Sequence, residues 1–330
     1  MIFEFYFFLI LILGILIFNK ANYIGKIFNL VDTPDNLRKK HKKPVPKIGG
    51  LVIYFCTILY LILTKDFHHN LIFIIFITFY FLLGLLDDVK NLSSLPRLVL
   101  SSVFLCLFFY INSSLMVNKI FIFGDIIDLN YHFSFILIIF FTMLCVLLLE
   151  NAINMIDGIN GLCGSFVLYS ICYFSIKNGF SNIDIFIILI LMVFILFNIL
   201  NKTFLGNSGA YLLSSILSYK ILYNNEVKFN YSAEEIYLVL IIPGLDMLRL
   251  FFVRLRSGKN PFMADNNHIH HLINSYIGDN NLKTYILTLA LMMVPGLICL
   301  YLPTNKIHII ISVTIFYVLL ILKIKKIKFF

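Results

Sequence analysis

The sequence predicts an all-α polytopic membrane protein: a bundle of about eleven transmembrane helices, ten on the alternative count, with the N-terminus outside and the C-terminus cytoplasmic. Three observations carry this. The 330 residues are 60% hydrophobic and only 13% charged, with a mean hydropathy of +0.94, far from the composition of a soluble domain. Apolar runs of bilayer length, ~20 residues, start near residues 2, 48, 70, 96, 132, 161, 183, 206, 236, 284 and 307. If these alternate across the bilayer, one face collects 20 of the 26 Lys and Arg, leaving Lys65, Lys119, Lys177, Lys220, Lys228 and Lys306 on the other. The crowded face is cytoplasmic by the positive-inside rule, so the chain is expected in the plasma (inner) membrane as one integrated domain, 1–330.

Taken in order, the first run, MIFEFYFFLILILGILIF, has the length of a signal peptide, but Glu4 stands where a cation belongs and no small-residue cleavage site follows. It reads as the first helix. The runs from 161 and 206 are the weakest, because Asn, Gly and Ser sit at their beginnings. The tail KIKKIKFF reads as a cytoplasmic anchor. Six cysteines, at 56, 106, 145, 163, 172 and 299, are scattered through apolar stretches with no C-x-x-C pair, which fits small core residues better than a disulfide or zinc framework.

The same alternation places six polar stretches on the cationic face. NLRKKHKKPVPKIGG, residues 36–50, follows the first helix; GLLDDVKN, with Asp87 and Asp88, ends the third. ENAINMIDGINGL (150–162) joins the fifth and sixth, and FLGNSGAYL (204–212) joins the seventh and eighth. IPGLDMLR and NPFMADNNHIHHL close the ninth and the loop after it. Singly, each has a plain structural explanation: the basic loop a topology signal and lipid-headgroup contact, NMIDGINGL a turn, and His268, His270 and His271 a solvated or snorkelling cluster. Asp246 with Arg249 one turn on is an i, i+3 ion pair. Their convergence on one face, with carboxylates at a membrane boundary where they are costly, argues for a site.

Adjacent carboxylates with further amide and carboxylate oxygens suit magnesium, a hard cation that leaves positions for substrate phosphates. Arg, Lys and His nearby suit a diphosphate whose charge redistributes during phosphoryl transfer, and glycines let backbone amides approach phosphate oxygens. Zinc held by His268, His271 and Asp265 lacks an H-E-x-x-H or a cysteine partner. Without a Walker A or a G-x-G-x-x-G after a strand, nucleotide hydrolysis and dinucleotide cofactors have no support, and nucleic acid is not an expected partner. In a membrane setting a lipid phosphate is the natural second reactant.

In order and spacing, VDTPDNLRKKHKKPVPKIGG, GLLDDVKNL, NAINMIDGINGL, FLGNSGAYL and PFMADNNHIHHL resemble the motifs of the polyprenyl-phosphate N-acetylhexosamine-1-phosphate transferases, from about residue 31 to 272. H-x-H-H, in place of H-H-H, is similar to the bacterial branch that starts O-antigen, teichoic acid and related cell-envelope glycans. The resemblance implies transfer of a sugar 1-phosphate from a UDP-N-acetylhexosamine to undecaprenyl phosphate at the cytoplasmic face, with release of UMP and Mg2+ (or Mn2+) as cofactor. Membrane lipids are then the surroundings, and a homodimer is an allowed assembly.

Residue by residue, Asp87 and Asp88 match the pair that handles lipid phosphate and metal, and with Asp157 they are the expected catalytic carboxylates. Asn151, Asn154 and Asp157 match the segment that grips the nucleotide. His268, His270 and His271 match the motif that contacts the donor diphosphate, and Lys47 lies near the family's phosphate-binding lysine. The implied metal set is Asp87, Asp88, Asp157 and Asn207. Two departures stand out: relatives usually carry Asp at Asn207, which Asp157 or Asp246 could offset, and a cation at Asn266. A catalytically weakened relative that binds UDP-sugar or lipid phosphate is the alternative these departures raise. A transporter fits less well, since its ionisable residues would gather near the midplane.

Overall fold

The computed structural model describes residues 2–34, 43–228, 231–260, 267–278, 280–302 and 306–327. The cationic stretch 35–42, Asp265, Asn266 and residues 328–330 lie outside these described residues. Thirteen α-helices and two small hairpins build the described chain. All eleven predicted runs are helical: α1 (Ile2–Asn19), α3 (Gly49–Leu63), α4 (Leu71–Lys90), α5 (Ser94–Ile111), α6 (Phe135–Ile156), α7 (Leu162–Asn178), α8 (Asn182–Ile199), α9 (Gly206–Lys228), α10 (Ala233–Arg256), α12 (Asn281–Tyr301) and α13 (Lys306–Ile327). Two shorter helices are added, α2 (Ala21–Ile27) and α11 (Ile269–Tyr276). Among the described residues seven helices are long and apolar enough to cross a membrane, eight if α1 and α2, bent by 73°, form one span. The chain is therefore a polytopic helical membrane protein.

Local chemistry sets the boundaries. Ser181 with Asp184, and Ser232 with Glu235, form reciprocal capping boxes at the starts of α8 and α10, each satisfying two backbone donors that the first helical turn leaves open. Asn280 caps α12 through its side-chain oxygen. Asn91, left-handed at φ 48°, ends α4 and lets the chain turn into α5 within three residues. Pro243, in the interior of α10, removes the donor that would pair with the Val239 carbonyl.

By internal contacts the chain divides into two compact units, Met1–Arg97 with Cys163–Lys220, and Leu98–Leu162 with Ile221–Phe330. In the first, α1, α3 and α8 pack together around Tyr60 stacked on Phe186 at 4.3 Å, with Phe7 edge-on to both. Here β1 (Val31–Asp32) pairs antiparallel with β2 (Val45–Pro46), joining the two ends of the basic loop and delivering Lys47 beside Asp32. In the second unit α10 is central, packed on α6, α12 and α13. A hairpin of β3 (Lys119–Ile122) and β4 (Asp125–Asp128), absent from the sequence-based expectation, lies between α5 and α6 and is tied to α10 by the Phe123 N–H donating to Glu234 Oε1 at 2.6 Å. Large apolar side chains such as Phe8, Leu107, Phe252 and Leu319 stand on the outer surfaces of the helices, as a lipid-facing exterior requires.

Candidate active site

The first unit gathers three of the polar stretches. Asp87 and Asp88 occupy the last turn of α4 and are only 2% and 8% exposed. Asp87 Oδ2 accepts from Arg97 Nη1 at 2.8 Å, Arg97 being delivered by the first turn of α5 after the Asn91 reversal. Asp88 faces the start of α9, where the backbone N–H groups of Asn207 and Ser208 donate to Oδ1 and Oδ2, both at 2.9 Å. A helix N-terminus offers open donors and positive potential, so a carboxylate there is held by charge as well as by hydrogen bonds. The third stretch enters through α3: the N–H groups of Gly49 and Gly50 donate to the carbonyls of Phe204 and Leu205 at 2.9 and 3.0 Å. Gly50 has to be glycine, since a Cβ would stand 2.2 Å from the Gly209 nitrogen. Lys47 precedes this contact; its Nζ pairs with Asp32 at 3.2 Å, and its charge also acts on Asp88. Lys47, Asp87, Asp88 and Asn207 thus share one polar cluster.

The second unit gathers the other three. Asp157 is the exposed C-cap of α6, with Asn154 one turn earlier and half-buried. Asn151 turns its amide Nδ2 back onto the Leu147 carbonyl at 2.7 Å. Directly after Asp157, Gly158 lies against the His motif: a Cβ there would meet His270 Nε2 at 2.1 Å. His270 is 1% exposed, with neither ring nitrogen hydrogen-bonded. Burial, then the adjacent rings of His271 and His268, hold its pKa well below the usual histidine range against the opposing charge of Asp246. The rings of His268 and His270 lie parallel with centroids 5.6 Å apart, and His271 is 4.2 Å from His270.

Beneath this motif Asp246 carries the i, i+3 ion pair with Arg249 at 2.7 Å, and much more. Its Oδ1 accepts from Arg249 Nη2 and Nε and from the Tyr317 hydroxyl, at 2.7, 3.2 and 2.9 Å. Its Oδ2 accepts from His268 Nδ1 at 3.2 Å and the Ile269 N–H at 3.1 Å. Five donors on one carboxylate use up its lone pairs, so Asp246 is not available to offset Asn207 at a metal.

Among the described residues no group of three or more His, Cys, Asp or Glu side chains is placed to hold a metal ion. Magnesium asks for less than that, because it keeps waters and takes one or two carboxylates plus substrate oxygens. Asp87 fits such a role: among the described residues only its Oδ2 is hydrogen-bonded.

Comparison with known proteins bears directly on these two clusters. Glycosyl transferase family 4 matches residues 70–224, which include the carboxylate pair, the Asp157 turn and Asn207. A Thermotoga maritima protein, undecaprenyl-phosphate alpha-N-acetylglucosaminyl 1-phosphate transferase, is 30% identical over 269 residues, 81% of each chain. The chain belongs to the polyprenyl-phosphate N-acetylhexosamine-1-phosphate transferase family. Proteins of the same name from Escherichia coli K12 and Salmonella typhi are each 26% identical, over 77% and 84% of this chain and 71% and 77% of their own.

For a member of this family, three residues of the two clusters lie outside the sequence-based expectation. Arg97 counts there only as a topology charge, although it follows Asp87 by ten residues across a short turn. Asp32 stands in the VDTPDN stretch with no partner that spacing alone would name. Tyr317, one of 18 tyrosines and set in an apolar helix, carries no sequence signal at all.

Proposed function

We propose that this chain transfers an N-acetylhexosamine 1-phosphate from a UDP-sugar to undecaprenyl phosphate at the cytoplasmic face of the plasma membrane, releasing UMP and starting a cell-envelope glycan. The observation that carries the reading is the relative that is 30% identical over 81% of both chains, together with the buried Asp87–Asp88 pair bounded by Arg97, Lys47 and a helix N-terminus. N-acetylglucosamine is the donor sugar favoured by the relatives' names. The proposal includes eleven crossings, with the N-terminus outside and the C-terminus in the cytoplasm, following the Lys/Arg distribution.

The chemistry asks little of a base. A phosphate monoester with a second pKa of ~6 is largely dianionic at neutral pH, so the lipid phosphate oxygen can attack the donor's β-phosphorus as UMP departs. One P–O bond forms and one breaks, so the chain's task is alignment and charge compensation. We assign the lipid phosphate to the first cluster, where Lys47 and Arg97 supply positive charge, and the donor diphosphate to His268 and His271 with the nucleotide toward Asn151, Asn154 and Asp157. Asp87, Asp88 and Asn207 would hold magnesium, which supplies charge neutralisation of the phosphates when bound.

The test is to incubate purified protein with undecaprenyl phosphate, magnesium and a panel of UDP-N-acetylhexosamines, following UMP and lipid-linked sugar phosphate. UMP together with product from one donor is the expected result. Absence of product with every donor, while UDP-sugar still binds, would instead support a relative that binds without turnover, the reading that Asn207 motivates.

A further inference from the structure

The contacts of Asp246 point beyond an ion pair. This carboxylate receives donors from three directions: Arg249 on its own helix, Tyr317 on the last helix of the chain, and the ring and backbone of the His motif. Arg249 also reaches forward, its Nη2 donating to the Asn267 carbonyl at 2.6 Å, and its Nε is shared between Asp246 and the Tyr317 hydroxyl, 3.1 Å away. Residues 267, 268 and 269 are therefore each fastened to the Asp246–Arg249 pair, two through backbone atoms and one through a ring nitrogen. The assembly is enclosed: Asp246 is 4% exposed and Tyr317 3%.

The proton positions follow from this geometry. Arg249, Tyr317 and the Ile269 N–H all donate to Asp246, and the adjacent guanidinium favours its ionised form, so the hydrogen between Asp246 and His268 sits on His268 Nδ1. That leaves His268 Nε2 as the free end of the ring, and among the described residues it has no hydrogen-bond partner. A ring held by its Nδ1–H has one orientation in which to meet a ligand. The Ile269 N–H, the first of α11, is spent on the same carboxylate.

We propose that Asp246, clamped by Arg249 and Tyr317, is a positioning residue that holds His268 with Nε2 directed to the phosphate oxygens of a nucleoside diphosphate. The final helix α13 thereby becomes part of the donor site through Tyr317. The proposal rests on the transferase reading for its ligand, and goes beyond it in giving Arg249, Tyr317 and Asp246 a function.

The experiment uses the full chain in detergent or nanodiscs and combines backbone hydrogen exchange over residues 267–276 with the affinity for UDP. Tyr317→Phe is the mild variant, since it removes a hydroxyl but no charge; Asp246→Asn is the severe one. Tyr317→Phe is expected to speed exchange at the start of α11 and to weaken UDP roughly tenfold, the scale of one hydrogen bond to a charged group. In a His268→Gln background the same change should cost less than about twofold, because a residue acting through His268 has nothing left to position.

Equal losses of UDP affinity in both backgrounds would make the clamp merely structural and overturn the proposal. So would unchanged exchange over 267–276 in both Tyr317→Phe and Asp246→Asn, or failure of the unmutated chain to bind UDP. If the coupling to His268 is found but no lipid-linked sugar forms, the positioning role stands and the transferase reading falls. If product forms without the coupling, the transferase reading stands and the positioning role falls.

Discussion

The carboxylates of the two units carry opposite loads. Asp246 is saturated by five donors from four residues, so its charge is consumed in holding protein in place. Asp88 accepts one backbone N–H on each oxygen, and Asp87 accepts a single guanidinium on one, so lone pairs remain on both. A carboxylate offers about four acceptor positions, and what is left over decides whether it can serve a cation or a substrate. Under the proposed function, the first cluster receives phosphate and metal and the second orients the donor.

That contrast is most exposed to failure at Asp87 and Asp88. Exchanging either for Asn should lower turnover about a hundredfold or more while the fold is kept, as expected for groups acting on developing phosphate charge. Turnover and magnesium half-saturation should change together in these variants, whereas His268→Gln should raise the KM for UDP-sugar and leave the magnesium dependence in place. A magnesium titration of the three variants decides it; unchanged rates in both Asp variants would remove the metal and phosphate assignment.

Next in size are the glycines that bring the stretches together. Gly50→Ala sets a methyl against the Gly209 backbone at 2.2 and 2.4 Å, where nothing flexible can yield, and should cost about 3 kcal/mol or more of stability, the upper end for overpacking. For Gly158→Ala the three nearest atoms all belong to the His270 ring, Nε2 first at 2.1 Å. A ring can move, so this change should cost less stability, while its displacement of the His motif raises the KM for UDP-sugar. Thermal unfolding of both variants, with KM for the second, separates backbone closeness in one unit from side-chain placement in the other.

The helices are legible in the sequence because bilayer thickness selects long apolar runs, and all eleven runs are helices, seven helices among the described residues being long and apolar enough to cross a membrane. The sequence reads Asp87, Asp88, Asp157 and Asn207 as one metal set with Lys47 beside a phosphate, whereas the first unit gathers Lys47, Asp87, Asp88 and Asn207, and Asp157 belongs to the second. The bend between α1 and α2 and the β3–β4 hairpin are not legible: neither alters hydrophobicity over a long enough window to register. Tyr317 is invisible for a different reason. A single phenol in an apolar helix acquires its meaning only from the acid it reaches, and that acid lies 71 residues away.

A smaller effect separates the clusters by pH. His270 titrates well below the usual histidine range in the folded chain because it is buried beside two other imidazoles, while the unfolded chain binds its proton near pH 6.5. The folded state then holds fewer protons, so stability is full above about pH 6.5 and falls by about 1.4 kcal/mol per pH unit below it, until the folded pKa is reached. His270→Phe should flatten that slope in a denaturation series from about pH 7.5 to 5. If the wild-type slope persists in the variant, a different group is responsible.

The smallest effect concerns Asn207, the one member of the first cluster without charge. Its backbone N–H already serves Asp88, so Asn207→Asp would place a second carboxylate at the same helix start. The helix dipole favours that charge by a fraction of a kcal/mol, about 0.3–1, but the nearby Asp88 carboxylate opposes it, and the two effects nearly cancel until a cation is present. With magnesium the repulsion becomes an extra ligand charge, so half-saturation should drop roughly threefold for a gain of ~0.6 kcal/mol. The unfolding temperature should also become more dependent on magnesium than in the wild type. A large loss of activity at saturating magnesium would show that the amide itself is needed, and would move Asn207 from a weakened ligand to a specific contact.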